Sequence, residues 1–208
     1  WDEDIRALDA RLRRQRLIDT AWTLHGSGRE AEAIALVEAQ PPSAENDLLL
    51  ADWARERGDF DAALAGYAQV LKVEPENVDA QLGRIQAWIA TGDVVRARQA
   101  MATTPPAVPD DAVGQQRQLA GIWTDLHENA KALAILRQLI ARKAGPDAQT
   151  YRDAARLVRR DAPAESLDLY ALSLQDNGVL APAQAHPRDD RTLTLASREN
   201  AQDDWLRR

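Results

Sequence analysis

Small, polar and large apolar residues recur along this chain in a fixed order and at a long, nearly constant interval. Three segments align directly: Gly28-Arg29-Glu30-Ala31-Glu32-Ala33-Ile34, Gly58-Asp59-Phe60-Asp61-Ala62-Ala63-Leu64 and Gly92-Asp93-Val94-Val95-Arg96-Ala97-Arg98. Each sets a Gly, then polar or turn-forming residues, then an Ala five places after the Gly. His127-Glu128-Asn129-Ala130-Lys131-Ala132-Leu133 and Asp161-Ala162-Pro163-Ala164-Glu165-Ser166-Leu167 keep the pattern without the Gly. The small position thus holds Ala33, Ala63, Ala97, Ala132 and Ser166, at separations of 30, 34, 35 and 34 residues. Four places further on, Tyr67, Met101, Leu136 and Tyr170 supply a large side chain.

Each part of the pattern has a local reason. A chain that reverses between two antiparallel helices turns sharply, and Gly at the end of the first helix adopts the left-handed conformation cheaply. Asp59 and Asp93 then stand where a carboxylate caps the free amides of the next helix. The small residue lies where the two helices cross most closely, and anything larger would push the axes apart. Pro75, in Val73-Glu74-Pro75-Glu76-Asn77, lacks an amide hydrogen and ends the second helix of its pair.

The interval sits on the ~34-residue tetratricopeptide period. The stretch from Gly58 to Pro75, within a unit running from Ala44 to Asn77, resembles the tetratricopeptide consensus almost position for position. The expected fold is all-α, a right-handed tetratricopeptide-repeat solenoid of about five helix pairs. Expected first helices lie near 3–26, 44–57, 77–91, 110–126 and 147–160, and second helices near 29–40, 60–73, 93–103, 128–142 and 163–176. The solenoid covers 1–177, with repeats near 14–43, 44–77, 78–112, 113–146 and 147–177. Residues 178–195, with Gly178, Pro182 and Pro187, read as a linker. Residues 196–208, carrying Trp205 and Leu206, read as a short helix cut off mid-way, and the start at Trp1 without a leader suggests a piece of a longer polypeptide.

Composition narrows the function more than it specifies it. The longest apolar runs, such as Leu48-Leu49-Leu50-Ala51, fall far short of the roughly 20 residues a membrane helix needs. A net charge of −7 argues against a nucleic-acid partner, because phosphate binding needs a basic face. With no cysteine, thiol chemistry and disulfides are excluded. His25, His127 and His186 show no pairing at four-residue spacing that would hold a metal, and no phosphate loop, calcium loop or nucleophile elbow occurs. Gly26-Ser27-Gly28-Arg29-Glu30-Ala31 fits a dinucleotide pattern but follows a helical segment instead of a strand, so it reads as a turn. Neither an enzyme nor a cofactor is expected.

The aligned repeats name the side chains that should line the concave face. The chosen candidates are Trp22, Asp52, Arg55, Gln86, Arg117 and Tyr151, with His25, Glu56, Leu82, Ala148, Ala155 and Val158 among the neighbouring lining positions. This lining lacks a Lys or Arg clamp for a peptide carboxylate. Trp22 and Tyr151 are the rings expected in the groove, where a flat aromatic suits the C–H face of a sugar. The bland alternative is that each packs on a neighbouring helix. Trp88 and Trp123 fall on positions that pack within a repeat.

The chain also resembles the cellulose synthase operon protein C family, the outer-membrane cellulose export subunits of Gram-negative bacteria. The resemblance rests on Leu48-Leu49-Leu50-Ala51-Asp52-Trp53-Ala54-Arg55, on Leu82-Gly83-Arg84, and on the tail Asn200-Ala201-Gln202-Asp203-Asp204-Trp205-Leu206-Arg207-Arg208. That tail looks like the segment leading into the family's C-terminal β-barrel. What the resemblance implies is a periplasmic scaffold that links an inner-membrane cellulose synthase complex to an outer-membrane pore. Implied partners are the synthase subunits and the barrel of the same chain, with β-1,4-glucan or peptidoglycan as polysaccharide ligands. A protein–protein adaptor that never touches polysaccharide is the competing expectation.

Overall fold

A computed structural model describes residues 2–142 and 148–176 of the chain. The linker expected at 178–195 and the short helix expected at 196–208 lie outside the described residues. Among the described residues there are ten helices and no strand. They are α1 (Asp2–Gly26), α2 (Glu30–Glu38), α3 (Ala44–Glu56), α4 (Phe60–Val73), α5 (Val78–Ala90), α6 (Val94–Thr103), α7 (Val113–Asp125), α8 (Asn129–Ala141), α9 (Ala148–Val158) and α10 (Pro163–Asp176). The helices pack mainly on their neighbours in sequence, as expected when each repeat buries its apolar face on the next. The chain forms two compact units, Trp1–Pro109 and Asp110–Arg208.

The turns follow the chemistry of their residues. Gly28, Gly58 and Gly92 take positive φ angles of 79°, 83° and 83°. In each case the next amide bonds back across the turn, as in Asp59 N to Ala54 O (2.8 Å) and Asp93 N to Trp88 O (2.8 Å). This pattern satisfies carbonyls that a helix end otherwise leaves open. Asp59 accepts from Ala62 N and Asp93 from Arg96 N, both at 3.2 Å, so the two expected caps are in place. Ser43 and Asn77 cap α3 and α5 in the same way.

The small residues sit in the crossings. Ala33, Ala63, Ala97 and Ala132 are completely buried, and Ser166 nearly so, its hydroxyl donating to Ala155 O across the α9–α10 crossing (2.9 Å). Of the large residues four places on, Tyr67, Met101 and Leu136 are buried and Tyr170 is half-buried. Gly66 brings α4 so close to α3 that a Cβ there would stand 2.7 Å from Ala51 Cβ.

One boundary differs from the spacing by more than two residues. The helix expected at 110–126 begins at Val113. Asp110 and Asp111 instead form a turn in which Val113 N donates to Asp111 O at 2.9 Å. Within the second unit, the Arg142 guanidinium bonds the carbonyl of Asp110 and its carboxylate (2.7 Å), tying the end of α8 to this turn. Arg137 and Glu165 form a forked pair between α8 and α10, with contacts of 2.8 and 3.0 Å. Such exposed pairs contribute only about 1 kcal/mol or less each, so buried apolar packing carries the fold.

Candidate functional site

The first unit holds four of the six candidates, Trp22, Asp52, Arg55 and Gln86, and the second holds Arg117 and Tyr151. Asp52 and Arg55 are brought together by a residue from the next helix. Tyr67 of α4 is buried, and its hydroxyl donates to Asp52 Oδ1 at 2.6 Å while accepting from Arg55 Nε at 3.1 Å. Tyr67 can reach α3 because its ring runs over Gly83 of α5, where a Cβ would come within 2.6 Å of Cε1 and the hydroxyl oxygen. The glycine of Leu82-Gly83-Arg84 therefore makes room for the ring that joins the pair.

Burial sets the electrostatics of this network. Desolvation pushes the Asp52 carboxyl above the ordinary carboxylate range, and Asp79 and Glu56 push the same way. The Tyr67 hydrogen bond and the Arg55 charge oppose that shift without cancelling it. Desolvation, and then the bond to Asp52, push the Tyr67 hydroxyl well above its usual range, so it remains a proton donor at any physiological pH.

A second group adjoins the first on α3. Trp53 is completely buried and His25 of α1 stacks on it, with centroids 4.6 Å apart and planes 7° from parallel. His25 Nε2 contacts Glu56 Oε2 at 3.1 Å. Trp22 stands at right angles to both rings, its centroid 5.5 Å from Trp53 and 6.0 Å from His25. It is 47% exposed.

The remaining candidates sit in quieter surroundings. Gln86 and Arg117 are half-buried on α5 and α7. Tyr151 is half-buried and packed against the core of the second unit. Leu82, Ala148, Ala155 and Val158, expected on the lining, are buried, because those helix positions turn into the packing with the adjacent helix. Two other tryptophans carry cations. Arg84 lies 4.9 Å from the Trp88 ring centroid and Lys131 Nζ lies 4.2 Å from that of Trp123. The partnership of Trp53 with His25 and that of Tyr67 with Asp52 are absent from the sequence reading. Only the aromatic type at those positions hinted at them.

A family model, tetratricopeptide repeat, matches residues 54–119. Cellulose synthase operon protein C of Escherichia coli (strain K12) is 37% identical over 214 aligned positions, which take in all of this chain. The chain matches, end to end, a segment of cellulose synthase operon protein C. The protein of the same name from Salmonella typhimurium is 36% identical over the same span. The chain covers only 18% of the length of these relatives. Among solved structures, a thermophilic tetratricopeptide-repeat protein of Thermus thermophilus superposes with a TM-score of 0.59. It shares 19% identity, covering 90% of this chain and 97% of that one. MamA (residue 41 to the end) from Desulfovibrio magneticus RS-1 gives a TM-score of 0.58 at 12% identity, covering 80% of this chain and 96% of that one. At these identities the structural likeness speaks for the fold: an all-α tetratricopeptide array.

Proposed function

We infer that this chain is a stretch of the helical scaffold in a bacterial cellulose export machine. One observation carries the reading: the full-length match, at 37% identity, to cellulose synthase operon protein C. The fold supports it, since tetratricopeptide arrays present extended surfaces built for protein partners. Among the described residues no helix is long and apolar enough to cross a membrane, and no cluster of three or more His, Cys, Asp or Glu could hold a metal ion. In this reading the segment stands in the periplasm, continuous with an outer-membrane β-barrel. It links the inner-membrane synthase to that pore, and its role is binding, not catalysis.

The test is made in a cellulose-secreting bacterium that expresses the full-length protein with and without the segment equivalent to residues 1–208. Secreted cellulose and the amount of barrel in the outer membrane are measured together. The expected result is a barrel at normal level, cellulose output lost, and synthase subunits no longer co-purifying with the protein. Undiminished secretion from the deleted form would refute the scaffold role.

A further inference from the structure

We propose that the exposed face of α10 is a docking seat for residues 193–206 of this same chain, which close the second unit by packing on Leu167, Tyr170 and Leu174. Aligning the crossing positions Ala63, Ala132 and Ser166 puts Leu167 in register with Leu64 and Leu133. Tyr170 then matches Tyr67 and Leu136, and Leu174 matches Leu71 and Ile140. In α4 and α8 these places support the next helix, since α5 packs on α4 and α9 on α8. The Tyr67 ring runs over Gly83 of α5, and Leu64 and Leu71, three and four places away, share its face. Both leucines are half-buried against a core that includes Ala80 and Ala87 of α5. Leu133 and Ile140 pack likewise on a core that includes Ala154, Ala155 and Val158 of α9. On α10 the same places keep large apolar side chains, yet Leu167 is 60% and Leu174 41% exposed. Exposure alone does not mark the seat. Leu172 is exposed too, but it aligns with Gln69 and Gln138, which stay exposed in their own repeats.

The chain carries a fitting occupant. Beyond Asp176 come Gly178, Pro182 and Pro187, and then the last large apolar side chains, Leu193, Leu195, Trp205 and Leu206. Residues 177–192 can span about 50 Å when extended, more than twice the roughly 21 Å length of α10, so the stretch can turn back along that helix. A tether of this kind holds its end at about millimolar effective concentration. A second copy of the chain has no such help. Two leucines offer far less than the roughly 800 Å² per partner that a stable association of separate chains buries. Docking takes apolar surface of both the helix and the stretch out of water. It also fixes where the chain leaves the array, so that whatever follows residue 206 moves with the second unit. None of this depends on the reading of the chain as part of an export machine.

The chain has no cysteine, so Ser197→Cys gives a single place for a nitroxide label in the full chain. Leucine methyl NMR then reads how close the label comes to each leucine. The Leu167 and Leu174 signals should lose most of their intensity, while those of Leu64 and Leu71, whose seat α5 fills, stay sharp. Dilution should leave both results unchanged. Unbroadened Leu167 and Leu174 signals overturn the proposal. So does broadening that fades on dilution, which makes a second copy the occupant. Hydrogen exchange gives a second reading. Amides of 193–206 should exchange about tenfold more slowly in the parent than in the double variant Leu167→Asp, Leu174→Asp. Both changes fall on exposed positions and spare the core, and circular dichroism confirms the fold. Leu172→Gln, exposed but off the seat, should keep the protection. Equal exchange in the parent and the double variant also overturns the docking.

Discussion

His127 occupies the turn position that Gly28, Gly58 and Gly92 fill in the earlier repeats, and it adopts the same left-handed backbone, with φ 61°. Glu128 N bonds back to Trp123 O at 2.8 Å, as the corresponding amides do after the glycines. A residue with a Cβ pays roughly 1–2 kcal/mol for that conformation, so His127→Gly is expected to stabilise the second unit by about 1 kcal/mol after the extra entropy of the unfolded glycine is deducted. Urea denaturation followed by circular dichroism checks it, and a lower midpoint would contradict it. Asp52 makes a different prediction, because its carboxyl is held above the ordinary range by burial first of all. The folded state therefore binds its proton more readily than the unfolded chain, and stability falls as pH rises from the ordinary carboxylate range through the raised one. Asn keeps an oxygen for the Tyr67 hydroxyl and carries no charge. Asp52→Asn should raise the urea midpoint at neutral pH, and the gap to the parent should close as pH falls through that window. A gap that widens on acidification would mean the ion pair with Arg55 outweighs desolvation.

Helix pairing follows the same logic one level up, and here the sequence was most legible. The crossing alanines announced themselves by spacing, because a close approach of two axes tolerates nothing larger. Asp59 and Asp93 were legible as caps because capping depends on four consecutive residues of one stretch of chain. The joining of Asp52 to Arg55 was not, although both residues stood out. Their link is Tyr67, whose ring reads as core filling, and its reach depends on how α4 lies against α3 and α5. The contact of Trp22 with Trp53 was hidden for the same reason: it needs the rotation of α1 relative to α3, which no local pattern fixes. Gly83 tests this interhelix geometry. A methyl group there would collide with the Tyr67 ring, which two hydrogen bonds hold in place. Gly83→Ala should cost about 1–3 kcal/mol as an overpacked contact. In a Tyr67→Ala background the same change should be close to neutral, since the atoms it strikes are gone. Equal costs in both backgrounds would show that the glycine matters for its backbone alone.

Within each unit the contacts run mainly between helices adjacent in sequence, so no single centre holds the structure together. Stability in such an array is close to a sum of pair and neighbour terms, and a local defect should stay local. Ala33 offers the sharpest trial, because it is fully buried at the α1–α2 crossing at one end of the first unit. Ala33→Leu forces α1 and α2 apart and should destabilise that pair by about 1–3 kcal/mol. Hydrogen exchange then distinguishes a solenoid from a globule. In a globule every amide shares the core's fate, and exchange would quicken throughout the unit. In a stack of pairs the amides of α1 and α2 lose protection first, those of α3 follow through their contact with α2, and those of α5 and α6 keep theirs. A graded loss along the chain also bears on function. A scaffold that opens at one pair while holding its neighbours can pass strain from one partner to the next without unfolding. Uniform loss of protection from α1 to α6 would deny the array that property.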